Sequence, residues 1–123
     1  MNKRILIVDD DERHAAIAAE LLELEGYEVR VHTSPFGTSR VISAFRPHLL
    51  LLDVNMPGLS GDRLAEVLRT SNTTMPVVFY SSNDEESLQL MVKSAPVQGF
   101  ICKGDPRQLR ERVAGYLRMA DRV

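Results

Sequence analysis

Two stretches of the sequence decide the fold: residues 5–11 (ILIVDDD) and residues 49–57 (LLLLDVNMP). Each starts with four apolar residues and passes directly into carboxylates, which is typical of a buried parallel strand that ends at a sheet edge. Carboxylates a few ångströms apart repel each other by about 1 to 4 kcal/mol per pair, so a cluster is stable mainly where a proton or a divalent cation relieves the repulsion. The two stretches therefore predict a magnesium site beside a reactive aspartate.

Two further apolar runs end in side chains that complement an acidic site. Residues 77–80 (VVFY) are followed by Ser81, and residues 100–102 (FIC) are followed by Lys103. A hydroxyl and an ammonium group are suited to the oxygens of a phosphoryl group held beside the acids. The ends of these four apolar runs thus carry, in chain order, two acidic groups, a hydroxyl group and an ammonium group.

The composition is that of an ordinary globular domain, with 123 residues, 44% of them hydrophobic, and a net charge of -2. We therefore expect a single domain over residues 1–123. No apolar stretch approaches the 18 or so residues of a membrane span, no secretory signal is present, and the single cysteine cannot form an internal disulfide. These features predict a cytoplasmic protein without membrane association. The slightly acidic charge predicts no direct binding to nucleic acid.

Helical patterns separate the strand patterns. Residues 27–33 alternate polar and apolar side chains, as a half-buried edge strand does. Helix starts are predicted where a capping residue precedes an apolar stripe: Ser34 with Pro35, Asn83 with Glu86, and Asp105 with Pro106. Helical spacing predicts the following residues for the apolar stripes of the first and third helices: Ile17, Leu21, Leu24, Leu64, Val67 and Leu68.

This alternation predicts an α/β fold, a doubly wound five-stranded parallel sheet with helices on both faces and the flavodoxin-like order 2-1-3-4-5. In that arrangement the strand order reverses between strands 1 and 3, and ligands bind there, outside the carboxyl ends of the strands. The acids end these two strands, and Ser81 and Lys103 end strands 4 and 5. The topology thus predicts that all of them converge.

Oxygen ligands are what Mg²⁺ prefers, usually one or two carboxylates, a phosphate and several waters. Asp10, Asp53 and a backbone carbonyl just after Asp53 would suffice. With the metal bound, Asp53 is placed to act as a nucleophile toward a phosphoryl group.

In these features the chain resembles the receiver domain of two-component response regulators. The resemblance covers essentially the whole sequence. It rests on Asp9-Asp10 after the first strand, Asp53 in LLLLDVNMPGLSG, Ser81 after PVVFY and Lys103 after GFIC.

The resemblance implies a role for each acid. Asp53 is the phosphoacceptor, which takes its phosphoryl group from a histidine kinase or a phosphotransfer protein. Asp10 is a direct Mg²⁺ ligand, Asp9 acts mostly through water, and Asn55 offers its backbone carbonyl. The domain itself is then not an enzyme beyond its own phosphotransfer and autodephosphorylation.

Further roles follow from the same resemblance. Ser81 hydrogen-bonds the phosphoryl group and Lys103 pairs with it, while the side chains of Asn55 and Asn83 tune dephosphorylation. Ser81 and Phe100 form a switch toward the face of the fourth helix, fifth strand and fifth helix. That face is expected to contact a downstream effector protein or domain, or to form a dimer on phosphorylation.

One departure from the family concerns the residue after the lysine. The family usually has a cis proline there, whereas this chain has Gly104. A cis bond before a non-proline residue costs about 2.5 to 4 kcal/mol, so we expect a trans bond and a reshaped loop. Ser81 stands where threonine is commoner, which keeps the hydroxyl.

Two alternatives remain open. The first is a small phosphohydrolase of the haloacid dehalogenase type, for which Asp9-Asp10-Asp11 would be the DxD motif. Against it are Glu12 in that motif and the lack of an acidic pair after Lys103. The second is a receiver-like adaptor that binds partners without being phosphorylated.

If Asp11 is not part of a DxD motif, we expect it to be a helix-capping or first-turn acid.

Overall fold

The computed structural model describes residues 2–71 and 74–121, in which five strands and five helices alternate. The strands are β1 Arg4–Val8, β2 Glu28–His32, β3 Leu49–Leu52, β4 Val77–Ser81 and β5 Gly99–Cys102. The helices are α1 Glu12–Leu24, α2 Thr38–Phe45, α3 Gly61–Thr70, α4 Glu85–Ser94 and α5 Pro106–Ala120. None of these described helices is both long enough and apolar enough to cross a bilayer.

The sheet is parallel throughout and has the order β2-β1-β3-β4-β5, which confirms the predicted topology. Val8 and Leu52 are register partners on β1 and β3. Asp9 and Asp53, the next residues, therefore leave adjacent strands at the same level. The Asp53 amide donates to the Val8 carbonyl at 2.9 Å, which continues the ladder to the edge.

The central strands are buried on both faces of the sheet, as their continuous apolar runs predict. Alternate residues enter two cores: Ile5 and Ile7 face α1 and α5, whereas Leu6 and Val8 face the side of α2, α3 and α4. All four leucines of β3 are fully buried. Burying one leucine stabilises a fold by about 1.5 to 3 kcal/mol, so these strands are rigid supports for the residues that follow them.

Helix α1 packs through a different face from the one predicted. Its buried residues are Ala15, Ala18 and Leu22, whereas Ile17 is 54% and Leu24 82% exposed. The alanines have no side-chain bulk beyond Cβ, so the helix can approach the sheet closely on that side. The prediction was therefore wrong for Ile17 and Leu24.

Helix α3 shows a smaller difference. Leu64 and Leu68 are buried as predicted, but Val67 is 48% exposed. Leu64, Ala65 and Leu68 share the buried face of the helix. Val67 lies outside it, about 100° around the helix from Leu68 on the side away from Ala65.

The predicted start of the fifth helix is confirmed. The Asp105 carboxylate accepts from the amides of Arg107 and Gln108, and Pro106 occupies the first turn. The predicted start at Asn83 is wrong by one residue, because Asp84 is the N-cap of α4 and accepts from the Ser87 amide at 2.7 Å.

The predicted start of α2 at Ser34 is also wrong. The Ser34 hydroxyl accepts from the Phe36 amide at 3.1 Å and closes a local turn instead. The helix begins at Thr38, after Gly37 with φ of +78°. A left-handed residue at this point is available to glycine without steric cost.

His48 joins the amino ends of β1 and β3. Its ring Nδ1 accepts from the Arg4 amide at 2.9 Å, and its own amide donates to the Arg4 carbonyl at 2.7 Å. Burial, followed by the charges of Arg4 and Lys3, holds the pKa of His48 below its usual range. The folded chain therefore favours the neutral ring, so the stabilisation from His48 is present above about pH 6.5 and is lost as the pH falls through the folded-state pKa.

The His48→Asn variant tests this pH dependence, because asparagine retains an acceptor for the Arg4 amide but does not titrate. Between about pH 7.5 and about pH 5.5, the wild type should lose more free energy of unfolding than the variant. Urea denaturation at several pH values measures the difference. Parallel pH profiles would contradict the role given to His48.

Candidate functional site

The three predicted acids lie together at the carboxyl edge of the sheet. Carboxylate oxygens of Asp9, Asp10 and Asp53 are all within 4.8 Å of one another. Asp9 and Asp53 are buried, and Asp10 is exposed. The cluster thus has a rigid inner side and an open outer side.

Lys103 extends from the end of β5 into this cluster. Its Nζ lies 2.6 Å from Asp9 Oδ2 and 3.7 Å from Asp53 Oδ1, and only 7% of its side chain is exposed. The second oxygen of Asp9 accepts from the Asp11 amide at 2.9 Å. Both oxygens of Asp9 therefore have protein partners, whereas Asp53 and Asp10 retain oxygens for a ligand.

Burial dominates the electrostatics of Asp53. Loss of hydration raises the pKa of Asp53 to about 6, with Lys103 lowering it and the charge and hydrogen bonding of Asp9 raising it. At neutral pH the carboxylate is ionised at a cost in stability. Any cation that binds beside Asp53 relieves this cost.

The acidic cluster fits a divalent cation with hard oxygen ligands. Carboxylate oxygens within 4.8 Å of one another are close enough to share one ion, directly or through its bound waters. Asp10 and Asp53 would hold the ion directly with the Asn55 carbonyl. Asp9, already bound to Lys103 and Asp11, would act through water.

Two loops complete the mouth of the site. The buried Ser81 hydroxyl accepts from the Asn83 amide at 3.2 Å, and the Lys103 amide donates to the Ser81 carbonyl at 2.8 Å. Across the mouth, the Asn55 side-chain amide donates to Asn83 Oδ1 at 2.7 Å. The structure thus places Ser81, Asn83 and Asn55 at the same edge of the sheet as the acids and Lys103.

Comparison with known proteins identifies the family. A model of the response regulator receiver domain family matches residues 5–114, which is most of the chain. The chain belongs to this family. The predicted membership among receiver domains of two-component response regulators is therefore confirmed.

Two curated relatives are regulatory proteins about twice as long. The chain is 29% identical over 122 residues to the alkaline phosphatase synthesis transcriptional regulatory protein PhoP of Bacillus subtilis, covering 98% of this chain and 51% of PhoP. It is 30% identical over 121 residues to the DNA-binding response regulator MtrA of Mycolicibacterium paratuberculosis, covering 98% of this chain and 54% of MtrA. The chain thus spans about half the length of each.

Solved structures agree in fold over nearly the whole chain. A CheY-like receiver domain from Methanospirillum hungatei superimposes with a TM-score of 0.88 at 27% identity, covering 99% of this chain and 98% of that one. The BeF3-activated receiver domain of Klebsiella pneumoniae RstA gives 0.85 at 27% identity, covering 94% and 99%. Receiver domains bind Mg²⁺ at an aspartate cluster, are generally phosphoacceptors rather than enzymes, and interact with histidine kinases and effector domains.

Gly61 supports the receiver site but was missed by sequence reasoning. A Cβ at this position would lie 2.8 Å from Val54 Cα and would overlap the Asp53 carbonyl. The Gly61 amide donates to the Val54 carbonyl at 2.9 Å, which holds the start of α3 against the strand end. The available signal was a glycine at the start of a helix that follows a strand end, since glycine is common where the backbone must approach another segment closely.

The loop after Lys103 has the predicted trans bond. Gly104 has φ of +110°, a conformation that proline cannot adopt and that side chains disfavour. The reshaped loop expected from the sequence is thus confirmed.

Phe100 is half-buried on β5 and is tied to α5. Its carbonyl accepts from Arg112 Nη1 at 3.2 Å and from the Tyr116 hydroxyl at 3.5 Å. The Arg112 guanidinium also lies 5.5 Å from the centre of the Phe100 ring. Sequence reasoning missed Arg112, because a helical arginine without a known neighbour is indistinguishable from a solvated one.

The Asp53→Asn variant tests the electrostatic cost at the site. Because the pKa of Asp53 is raised when folded, its contribution to stability is complete below about pH 3.8 and is lost as the pH rises through about 6. At about pH 7.5 in EDTA, the variant should exceed the wild type by on the order of 2 kcal/mol in unfolding free energy. The gap should close toward about pH 4, as measured by urea denaturation.

A matched control is Asp62→Asn in the first turn of α3. An acid near a helix N-terminus is favourable, so this variant should be neutral or slightly destabilised. Equal stability of wild type and Asp53→Asn at neutral pH would contradict the electrostatic account.

Proposed function

We propose that this chain, as a single receiver domain over residues 1–123, accepts a phosphoryl group on Asp53 in the cytoplasm. The donor is a histidine kinase or a phosphotransfer protein, and Mg²⁺ is required. The observation that carries the proposal is the setting of Asp53. Its buried carboxylate lies among the Asp9 and Asp10 carboxylates and 3.7 Å from the Lys103 ammonium.

Phosphotransfer then consists of one substitution at phosphorus. An Asp53 oxygen attacks the phosphoryl group of the donor, and the new O–P bond forms as the P–N bond to the donor imidazole breaks. The imidazole leaves with a proton from solvent. Bound Mg²⁺ would supply the positive charge that neutralises the phosphoryl oxygens.

Lys103 is placed to bind the phosphoryl oxygens on Asp53. Its ammonium is anchored on Asp9 at 2.6 Å and stands 3.7 Å from Asp53, so a phosphoryl oxygen on Asp53 would come within its reach. Charge-assisted hydrogen bonds of this kind contribute about 1.5 to 3 kcal/mol each. Ser81 would donate a second hydrogen bond from the neighbouring strand end.

Asn55 and Asn83 are proposed to flank the path of the water that hydrolyses the phosphorylated Asp53. Their side-chain amides are hydrogen-bonded to each other across the mouth of the site at 2.7 Å, where they would orient the water that attacks the phosphoryl group. Neutral amides can orient water without acting as a strong base, so we expect autodephosphorylation to be neither blocked nor exceptionally slow. The chain would otherwise have no enzymatic activity.

The donor is proposed to approach over α1. Ile17 and Leu21 line a cavity together with Lys103, and Ile17 is 54% exposed. A helix of the donor protein could bury apolar surface against this apolar rim beside Lys103. The phosphohistidine of the donor would then reach Asp53. This role would explain why α1 leaves Ile17 exposed.

The conformational effect of phosphorylation is proposed to be transmitted by Ser81 and Phe100 to the face of α4, β5 and α5. If Ser81 turns inward to a phosphoryl group, the space it leaves would admit the half-buried Phe100 ring. Arg112 and Tyr116 hold the Phe100 carbonyl, so a shift of β5 would be passed to α5. An effector protein or domain, or a second copy of the phosphorylated chain, would bind this face.

Intact-mass measurement after treatment with acetyl phosphate and Mg²⁺ tests the phosphoacceptor. The wild type should gain one phosphoryl group and Asp53→Asn none, because the attacking carboxylate is gone. The control Asp62→Asn should gain it as the wild type does. Omission of Mg²⁺, or the Asp10→Asn substitution, should greatly slow the reaction.

Each alternative predicts a distinct result, from the intact-mass measurement or from an assay of phosphomonoester hydrolysis. Phosphorylation of Asp53→Asn at the wild-type rate would contradict the assignment. Repeated hydrolysis of a phosphomonoester would favour the phosphohydrolase, and a wild type without any mass gain would favour the adaptor.

Amide hydrogen exchange with and without beryllofluoride and Mg²⁺ tests the output face. We expect altered protection in α4, β5 and α5, because moving a two-state equilibrium from 1:99 to 99:1 takes about 5.5 kcal/mol, which a few charge-assisted hydrogen bonds can supply. The Asp53→Asn variant, which lacks the acceptor carboxylate, should not respond. Changes confined to the loops around Asp53 would contradict the proposed face.

A further inference from the structure

Tyr80 lies with its aromatic ring beneath the site lysine. It is the last residue but one of β4, is 8% exposed and belongs to the core on the α1 and α5 side. The Lys103 Nζ lies over its ring, 5.6 Å from the ring centre. The ammonium is therefore close to two carboxylates and to an aromatic face.

The other surroundings of Lys103 leave its side chain room to move. Tyr80 and Lys103 line a cavity of about 150 Å³ that extends to His14 on α1 and Pro106 on α5. Gly104, the next residue, has φ of +110° and brings no side chain to stiffen the loop. A lysine has a flexible four-carbon stem, so the backbone here does little to fix its ammonium.

We propose that Tyr80 is a positioning residue for Lys103, and that its ring keeps the ammonium between Asp9 and Asp53 rather than in the neighbouring cavity. The inference rests on the proposed role of Lys103 in phosphotransfer. It concerns a residue that touches neither the phosphoryl group nor the metal.

The ring suits this role because it is neutral and its face is electron-rich. Burial and then the charge of Asp9 raise the pKa of Tyr80 to about 12, so the hydroxyl stays protonated at neutral pH. A cation over a desolvated aromatic face is attracted by the ring quadrupole more strongly than one at an exposed site. A third carboxylate would hold the lysine more strongly, but it would also compete with Asp53 for it.

The test uses Tyr80→Leu, which removes the ring, and Tyr80→Phe, which keeps it. Tyr27→Leu, at a partly buried tyrosine of the same core, is the matched control. Two quantities are measured for each protein: the rate of phosphorylation by acetyl phosphate at saturating Mg²⁺, and the Kd for Mg²⁺ alone by calorimetry. Urea denaturation establishes that each variant is folded.

The two measurements should move in opposite directions in Tyr80→Leu. The rate should fall about tenfold, because the ammonium is no longer held beside the incoming phosphoryl oxygens. Mg²⁺ should bind at least about twofold more tightly, because a positive charge has left the acidic cluster. Tyr80→Phe should stay within about twofold of the wild type on both measurements, and Tyr27→Leu should do the same.

Tyr80→Leu with the rate and the Mg²⁺ affinity of the wild type would overturn the proposal. A joint fall of both would also overturn it, since that result indicates general damage to the site. If Tyr80→Leu does not fold, Tyr80→Met, which is unbranched, decides by the same criteria. A wild type that accepts no phosphoryl group would instead contradict the proposed function, while the shift in Mg²⁺ affinity would still report on Tyr80 and Lys103.

Discussion

The buried ion pair of Lys103 and Asp9 is the interaction on which the site depends. The two charges are 2.6 Å apart, with side chains only 7% and 1% exposed. Removing one partner of such a pair costs about 3 to 5 kcal/mol, because the other is left buried without compensation. Since β3 and β4 lie between β1 and β5, the pair joins strand ends across four strands and opposes any slip in their register.

Asp53 sets a second constraint, which works against stability. Its carboxylate is buried near Asp9, and burial raises the pKa of Asp53 to about 6. Two rigid cores and the close approach of Gly61 hold the Asp53 backbone in place against this repulsion. The charge that destabilises the metal-free chain is the same charge that a cation would neutralise, so stability and ligand binding are coupled at this residue.

Much of the fold follows from local sequence. Apolar runs of four residues predict buried parallel strands, since both faces of a central strand are covered and no alternation is required. Asp105 before Pro106 predicts a helix start, because capping depends on groups only two or three residues away. The convergence of Asp9, Asp53 and Lys103 follows once the strand order is known, because parallel strands present their carboxyl ends at one edge.

The packing of individual side chains was decided by the tertiary structure. The apolar residues of α1 suggested Ile17 and Leu24 for the core, yet close approach to the sheet selected the small Ala15 and Ala18. The placement of Tyr80 beneath Lys103 depends on how β4, β5 and α1 pack, which no local pattern contains. Sequence by itself thus determined the strands, their order and the kind of chemistry at their ends. Only the tertiary structure decided which oxygen meets which ammonium, because those contacts join residues far apart in the chain and depend on distances of a few ångströms.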